Sequence, residues 1–251
     1  MSFIEWRLNC TPPVAMDQLL VNAASGMKAR IDSLDMLANN MANSGTAGFK
    51  TDREFYNLYE ASLPTVERQY TDFSQGQLLT TGNPLNVALN GRGFFALNGP
   101  SGVVYTRAGN FEISPSNELQ TSDGYTLRNI LDNGKPLNVD PTLPVNIAKD
   151  GTVTQAGQTL GQIEIAQPDS PSDALKKLGN TYFAMMNPNA VVPQASSTEV
   201  LQGQLEQSNV PVADAAVKLV SVMRQFEMMQ KAINLGTEMN KQAISEVAKP
   251  G

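Results

Sequence analysis

"LANNMANSGTAGFK", residues Leu37 to Lys50, joins two kinds of chain. Upstream, Leu20, Ala24, Met27, Ile31, Leu34, Ala38 and Met41 recur at alternating intervals of four and three. That is the 3.5-residue repeat of a coiled-coil seam, and it predicts a helix over residues 16–43. Asp32, Ser33 and Asp35 lie off this seam. Within the quoted stretch the apolar pattern stops. Asn39, Asn40 and Asn43 stand where the helix should finish, and Gly45 and Gly48 follow. Asparagine and glycine favour turns, so the stretch reads as a helix exit.

The far end of the chain repeats the seam. Val212, Leu219, Phe226, Ile233, Asn240 and Val247 fall every seventh residue, and Ala215, Val222, Met229, Gly236 and Ala243 follow each of the first five by three. Only Gly236 and Asn240 break the apolar run. A polar residue in a seam typically fixes register at a cost in stability. Pro211 sits just ahead, at a position that proline tolerates.

Between the two seams the period switches to two. Asn-Gly occurs at 90–91, 98–99 and 133–134, and Asp-Gly at 123–124 and 150–151. These dipeptides accept the positive φ of tight hairpins. "LNVALN", "GFFALN", "VVYTR", "NFEIS", "YTLRN", "VNIAK", "GTVTQ" and "GQIEIAQ" read as the strands between them, with "SPSDALKKL" as one short helix. The class is therefore α+β: N- and C-terminal coiled-coil helices flanking an antiparallel all-β domain. The expected divisions are a leader over 1–15, the first helix over 16–43, a polar connector over 44–81, the β domain over 82–206 and the last helix over 207–251. The leader carries Pro12 and Pro13 and no periodic pattern. It reads as disordered, or as preceding a true start at Met16.

Composition narrows the chemistry. The 251 residues carry a net charge of −6 and only 17% charged side chains, which argues against a nucleic-acid surface or an anionic membrane as partner. No apolar run approaches the ~18 residues of a spanning helix, and "MSFIEWRLNC" lacks the pattern of a secretory signal. The single cysteine, Cys10, allows no internal disulfide and reads as inert. There is no histidine, which removes histidine-based nucleophile pairs, general bases and metal sites. No cofactor is expected. "GRGFFA", Gly91 to Ala96, matches a dinucleotide fingerprint, but the hairpin signal at Asn98-Gly99 leaves no helix to hold a pyrophosphate. It reads instead as a glycine-flanked turn delivering Phe94 and Phe95 to a sheet. Asp32 with Asp35 reads as a solvated helix face. Met223, Met228, Met229 and Met239 read as helix packing. Glu112 with Glu118 leaves a carboxylate-based glycosidase formally open.

Three stretches carry a resemblance. "LANNMANSGTAGFK" is similar to the signature of the rod–hook axial proteins of the bacterial flagellum, with Ala38, Asn39, Asn40, Ala42, Asn43, Thr46, Gly48, Phe49 and Lys50 in place. "GNPLNVALNGRGFFALN" followed by "YTRAGNF" resembles the family's central signature through Gly91, Gly93, Phe94, Phe95, Tyr105, Thr106, Arg107, Gly109 and Phe111. "LEQSNVPVADAAVKLVSVMRQFEMMQKAI" resembles its C-terminal helix through Leu205, Glu206, Ser208, Asn209, Val210 and Phe226. The short body resembles a rod subunit more than a hook subunit, which carries a larger insertion.

The resemblance implies a structural subunit of the basal-body rod, not an enzyme. It implies export through the flagellar type III apparatus without a cleaved signal, helical assembly with copies of itself and other rod subunits in the periplasmic space, and torque transmission. It implies that Leu20, Met27, Ile31 and Leu34 hold the inner helices together opposite Val212, Leu219, Phe226 and Ile233. Asn39, Asn40 and Asn43 would supply amide hydrogen bonds at the helix end, Gly48 would turn the chain, and Phe49 would anchor the connector. Two rivals come from other classes: a carboxylate-dependent enzyme that opens peptidoglycan, and a coiled-coil export or adaptor factor.

Overall fold

The computed structural model describes residues 14–56, 66–179, 181–187, 190, 192–195 and 197–247. Most of the leader, residues 1–13, therefore lies outside the described residues. Helix α1 spans Val14–Ala42. The strands that follow are β1 (Asp52–Tyr56), β2 (Val66–Thr71), β3 (Leu78–Thr80), β4 (Val87–Asn90), β5 (Phe94–Gly99), β6 (Gly102–Thr106), β7 (Phe111–Ile113), β8 (Leu119–Thr121) and β9 (Thr126–Leu127). After a 3₁₀ turn at Ile130–Asp132 come β10 (Val145–Ile147), β11 (Thr152–Gln155), β12 (Gln158–Gln162) and β13 (Ile165–Ala166). One-turn helix α2 (Pro171–Ala174) leads into β14 (Leu175–Lys177), β15 (Tyr182–Met185), β16 (Glu199–Gln202) and β17 (Gln204–Glu206), and α3 (Val212–Val247) follows. The chain is thus an N-terminal helix, a mostly antiparallel β domain and a C-terminal helix.

The chain divides into two compact units. One holds the helices and the distal part of the β1–β2 ribbon: residues 1–38, 54–69 and 216–251. The other holds residues 39–53 and 70–215.

In the β unit the principal sheet runs β14-β15-β6-β5-β9-β8-β7, with β13 also paired to β5. Three short sheets accompany it: β10-β11-β12, β16-β4 and β17-β3. Strand β5 shows why period two was readable. Phe95 and Leu97 face a large core with Phe111, Leu119, Leu127 and Ile163, while Phe94 and Ala96 face a second core with Tyr105, Leu175 and Phe183. All four residues are at most 2% exposed, so this central strand is covered on both faces. Phe73, Phe94 and Phe183 meet edge-on at centroid distances of 5.1 to 5.9 Å. Four of the five turn dipeptides act as expected of their chemistry: Asn133 adopts φ 53°, Gly91 has φ 125°, and Gly124, Gly134 and Gly151 have φ between 82° and 84°. Asn98-Gly99 instead ends β5, and the hairpin turns at Pro100 and Ser101.

One segment differs from expectation. "SPSDALKKL" is helical for one turn only, because Leu175 is buried at the edge of the principal sheet, opposite Met185. The connector over 44–81, whose structure the sequence leaves open, contains β1, β2 and β3.

In the helical unit, α1 and α3 touch through a small residue. A Cβ placed on Gly26 would lie 3.5 Å from Met229 Cε. The buried face of α1 here is Gly26, Ala29, Ser33 and Leu37. Small residues at such a face allow two helices a close approach. Ser33 Oγ lies 3.0 Å from the Ala29 carbonyl oxygen and 2.8 Å from Glu54 Oε2.

Candidate functional site

The helix exit is the first part of the site. Asn43 N and Nδ2 both donate to the Asn39 carbonyl, at 3.1 and 2.9 Å. Ser44 donates its backbone N–H and its hydroxyl to the Met41 carbonyl. Two of the carbonyls that α1 leaves unpaired are thereby satisfied. Asn40 serves the strand instead: its Nδ2 donates to the Asp52 carbonyl at 2.8 Å, and its Oδ1 accepts from Asp52 N at 3.0 Å. A side-chain amide here imitates a strand neighbour for β1. Asn39 is exposed and contributes its carbonyl. Gly48 adopts φ 69°, and a Cβ there would overlap the Ala108 backbone nitrogen. Only glycine fits.

Beyond Gly48 the three signature stretches converge on one carboxylate. Glu206 Oε1 lies 2.5 Å from Lys50 Nζ, and Oε2 lies 3.0 Å from Arg107 Nη1. The side chains of Lys50 and Glu206 are 0% exposed and that of Arg107 is 4% exposed. Every charge has further partners. Lys50 Nζ also donates to the Ser74 carbonyl at 2.6 Å, and Arg107 Nη2 to the Gly91 carbonyl at 2.6 Å. Glu206 Oε1 also accepts from Gly76 N at 2.9 Å. Burial pushes the Lys50 ammonium below the ordinary lysine range, against the pull of Glu206 and Asp72 in the other direction. Burial likewise lowers the Arg107 guanidinium below its usual value, opposed by Glu206. The guanidinium carbon also sits 5.4 Å from the centre of the Phe94 ring.

Asn209 fastens the same region by its amide. Its Oδ1 accepts from Thr51 N, and its Nδ2 donates to the carbonyls of Asp72 and Ser74. Lys177 Nζ reaches Asp52 Oδ2 at 2.7 Å and lies 4.3 Å from the Phe49 ring centre. Phe49 itself is fully buried with Val210, Ala215 and Met41. The cluster ties Lys50, Arg107 and Glu206 together, and losing one partner of such a buried set is penalised heavily.

The seam residues are distributed differently. Ala24, Ile31 and Ala38 are exposed, Met27, Leu34 and Met41 are half-buried, and Leu20 lies further back on α1. On α3, Leu219, Phe226 and Ile233 are half-buried and Val212 is exposed. Of the central signature, Gly91 (φ 125°) and Gly93 (φ 135°) bring the chain into β5, and Tyr105 packs with Phe94 in the second core. Sequence reasoning placed Lys50, Arg107 and Glu206 in three separate signatures without pairing them. No local pattern marked any of them as buried. Glu112 is exposed and accepts from Gln120, with Glu118 beyond β7, near the turn into β8. Among the described residues no cluster suits a metal ion, and no helix is long and apolar enough to cross a membrane.

The described residues form two long terminal helices and a mostly antiparallel β unit with a buried ion junction, an architecture to set beside known proteins. Comparison with known proteins gives the family. Residues 20–50 match the flagella basal body rod protein family, 88–155 the D1 domain of the flagellar hook protein FlgE/F/G, and 201–246 the C-terminal region of the flagellar basal body rod FlgEFG protein. The chain is 32% identical to the flagellar basal-body rod protein FlgF of Caulobacter vibrioides, over 93% of this chain and 99% of that protein. It is 31% identical to FlgG of Buchnera aphidicola subsp. Schizaphis graminum, over 86% and 94%, and 31% identical to FlgF of Mesorhizobium japonicum, over 84% and 90%. The chain belongs to the flagellar basal-body rod family. It is a structural protein of the rod and not an enzyme, and neither rival reading is supported.

Proposed function

We propose that the chain assembles helically through its terminal helices, with copies of itself and with other rod subunits, and that the rod so formed carries torque across the periplasmic space. The observation that carries this reading is that both heptad stripes are only partly covered. The α3 stripe of Leu219, Val222, Phe226, Met229 and Ile233 is half-buried, and Met229 approaches α1 at Gly26. On α1, Met27 and Leu34 are half-buried as well, but Ile31 is 43% exposed, beside exposed Ala24 and Ala38. A second apolar line on α3, with Val217, Val220, Met228 and Leu235, is exposed as well. Helices that keep a coiled-coil repeat on an open face have further helices to meet. In this reading Leu20, Met27, Ile31 and Leu34 bind neighbouring helices.

Within the family we assign the proximal rod position, that of FlgF. The short body and the "MRQFEMMQKAI" segment support it, as does the relative of that name that shares 32% identity over nearly the whole length. Export through the flagellar type III apparatus without a cleaved signal belongs to the same reading.

The test is assembly. Leu34→Asp or Phe226→Asp, and most cleanly Ile31→Asp because that side chain is already exposed, should abolish motility and remove the subunit from purified basal bodies. The purified variant should keep its β-unit thermal transition. A motile strain carrying Ile31→Asp with normal rod stoichiometry refutes the assignment.

A further inference from the structure

Residues 199–210 come late in the chain yet complete the β unit near its beginning. Strand β16 is the partner of β4, and β17 is the partner of β3, so residues 78–90 are paired by residues 199–206. Val200, 1% exposed, sits in the large core with Val87 and Leu89. Glu206 supplies the carboxylate that both buried cations share. Gly48 N donates to the Glu206 carbonyl, Gly76 N to its carboxylate and Thr51 N to Asn209 Oδ1. A Cβ at Gly76 would overlap the Gln207 carbonyl oxygen, so the two backbones touch.

Lifting this segment alone would leave Lys50 and Arg107 inside the fold without their shared counter-charge. It would strip those three backbone N–H groups of their acceptors, together with those of Thr81 and Gly82, which donate to the Gly203 carbonyl, and it would open the core at Val200. Unpaired buried charge is the largest of these penalties. A state with the segment detached and the remainder intact is therefore no easier to reach than global unfolding.

We propose that residues 199–210 are a closing clasp: the β unit opens only together with this segment, and a chain whose clasp is held elsewhere does not complete the unit. Segments of a fold ordinarily open locally and with different free energies, so the proposal runs against the default.

Hydrogen exchange on the full-length protein tests it. In the wild type, the clasp-linked amides of Gly48, Gly76 and Gln207 should exchange through the same opening as the core amides of Ala96 and Leu119. In Glu206→Gln all five should accelerate by one common factor of ~100-fold or more. Asn209→Ala, a milder lesion, should give a smaller common factor. Clasp amides that exchange more than ~10-fold faster than the core amides in the wild type overturn the proposal. So does acceleration confined to the clasp amides in either variant.

Discussion

Replacing Glu206 by glutamine changes one atom and removes the charge on which two cations rest. Lys50 and Arg107 would stay buried, since their side chains are 0% and 4% exposed and neither can reach water without opening the core. The glutamine oxygen can accept from one side of the site only. If it keeps Gly76 N and Lys50, its NH2 group points at Arg107, donor against donor; if it turns, the clash moves to Lys50. Breaking a buried pair by removing one partner costs about 3–5 kcal/mol. In a body of this size each kcal/mol moves the midpoint by about 2–4 °C, so Tm should fall by roughly 6–20 °C. Lys50→Met is the informative companion. It leaves one cation facing one carboxylate, Gly76 N keeps its acceptor, and the Ser74 carbonyl keeps Asn209, so its loss should be the smaller of the two. Lys135→Met, which removes an exposed pair with Asp132, should shift Tm by about 1 °C or less. The measurement is thermal unfolding of the purified full chain by near-ultraviolet circular dichroism. A Glu206→Gln midpoint within about 2 °C of wild type, or a Lys50→Met loss exceeding it, refutes the reasoning.

Other expectations follow from neighbouring contacts. Gly48→Ala should destabilise the β unit by at least about 2 kcal/mol, from the left-handed backbone and the overlap with Ala108, while Gly45→Ala, with open space around it, should be close to neutral in the same urea titration. Asn40→Ala loses both bonds to the Asp52 backbone and should cost about 1–2 kcal/mol, with faster exchange at the Asp52 amide. The Asp72 carboxyl is held below its ordinary value: burial pushes it up, and the Ser74 hydrogen bonds and the Arg53 and Lys50 charges outweigh that. Its stabilising contribution is present above about pH 4 and is lost as pH falls through the lowered folded value. The difference in urea midpoint between wild type and Asp72→Asn should therefore be present at pH 6 and shrink toward pH 2; a difference constant across that range contradicts the linkage.

The helices and the hairpins were legible because both are periodic. A heptad repeat needs no knowledge of what it meets, and Asn-Gly or Asp-Gly marked positive φ at four of its five occurrences, Asn98-Gly99 being the end of β5 instead. The ion junction was not legible. Lys50 and Glu206 are 156 residues apart and Arg107 and Glu206 are 99 apart, and no local rule pairs charges over such distances. Each was visible only as a member of its own signature. The three asparagines were legible as a helix exit, but their division of labour was not, because Asn40 answers to a strand that begins twelve residues later. "SPSDALKKL" failed for a related reason: the burial of Leu175 beside the sheet outweighed local helical propensity, which is a weak preference.

The α1 seam carries a different lesson about what a repeat encodes. Its most regular apolar line is not the face that α1 buries in its own unit. The buried face is Gly26, Ala29, Ser33 and Leu37, two small residues, a serine and one leucine, a set that hydrophobic periodicity passes over. A monomer built for its own stability would put Ile31 inward and Ser33 outward, since burying a side chain of that size contributes about 1.5–3 kcal/mol. Here the arrangement is reversed: Ile31 is 43% exposed and Ser33 is 1% exposed. Met229 of α3 comes close at Gly26, while Ile31 is left largely exposed, which in the proposed assembly is where a second helix would meet it. Exchanging the two, Ile31→Ser with Ser33→Ile, preserves composition and helix length. It should remove the Ser33–Glu54 hydrogen bond and empty the outer stripe, so that a chain of unchanged hydrophobicity no longer enters basal bodies. Normal incorporation of that double variant would mean that the outer stripe serves no neighbour.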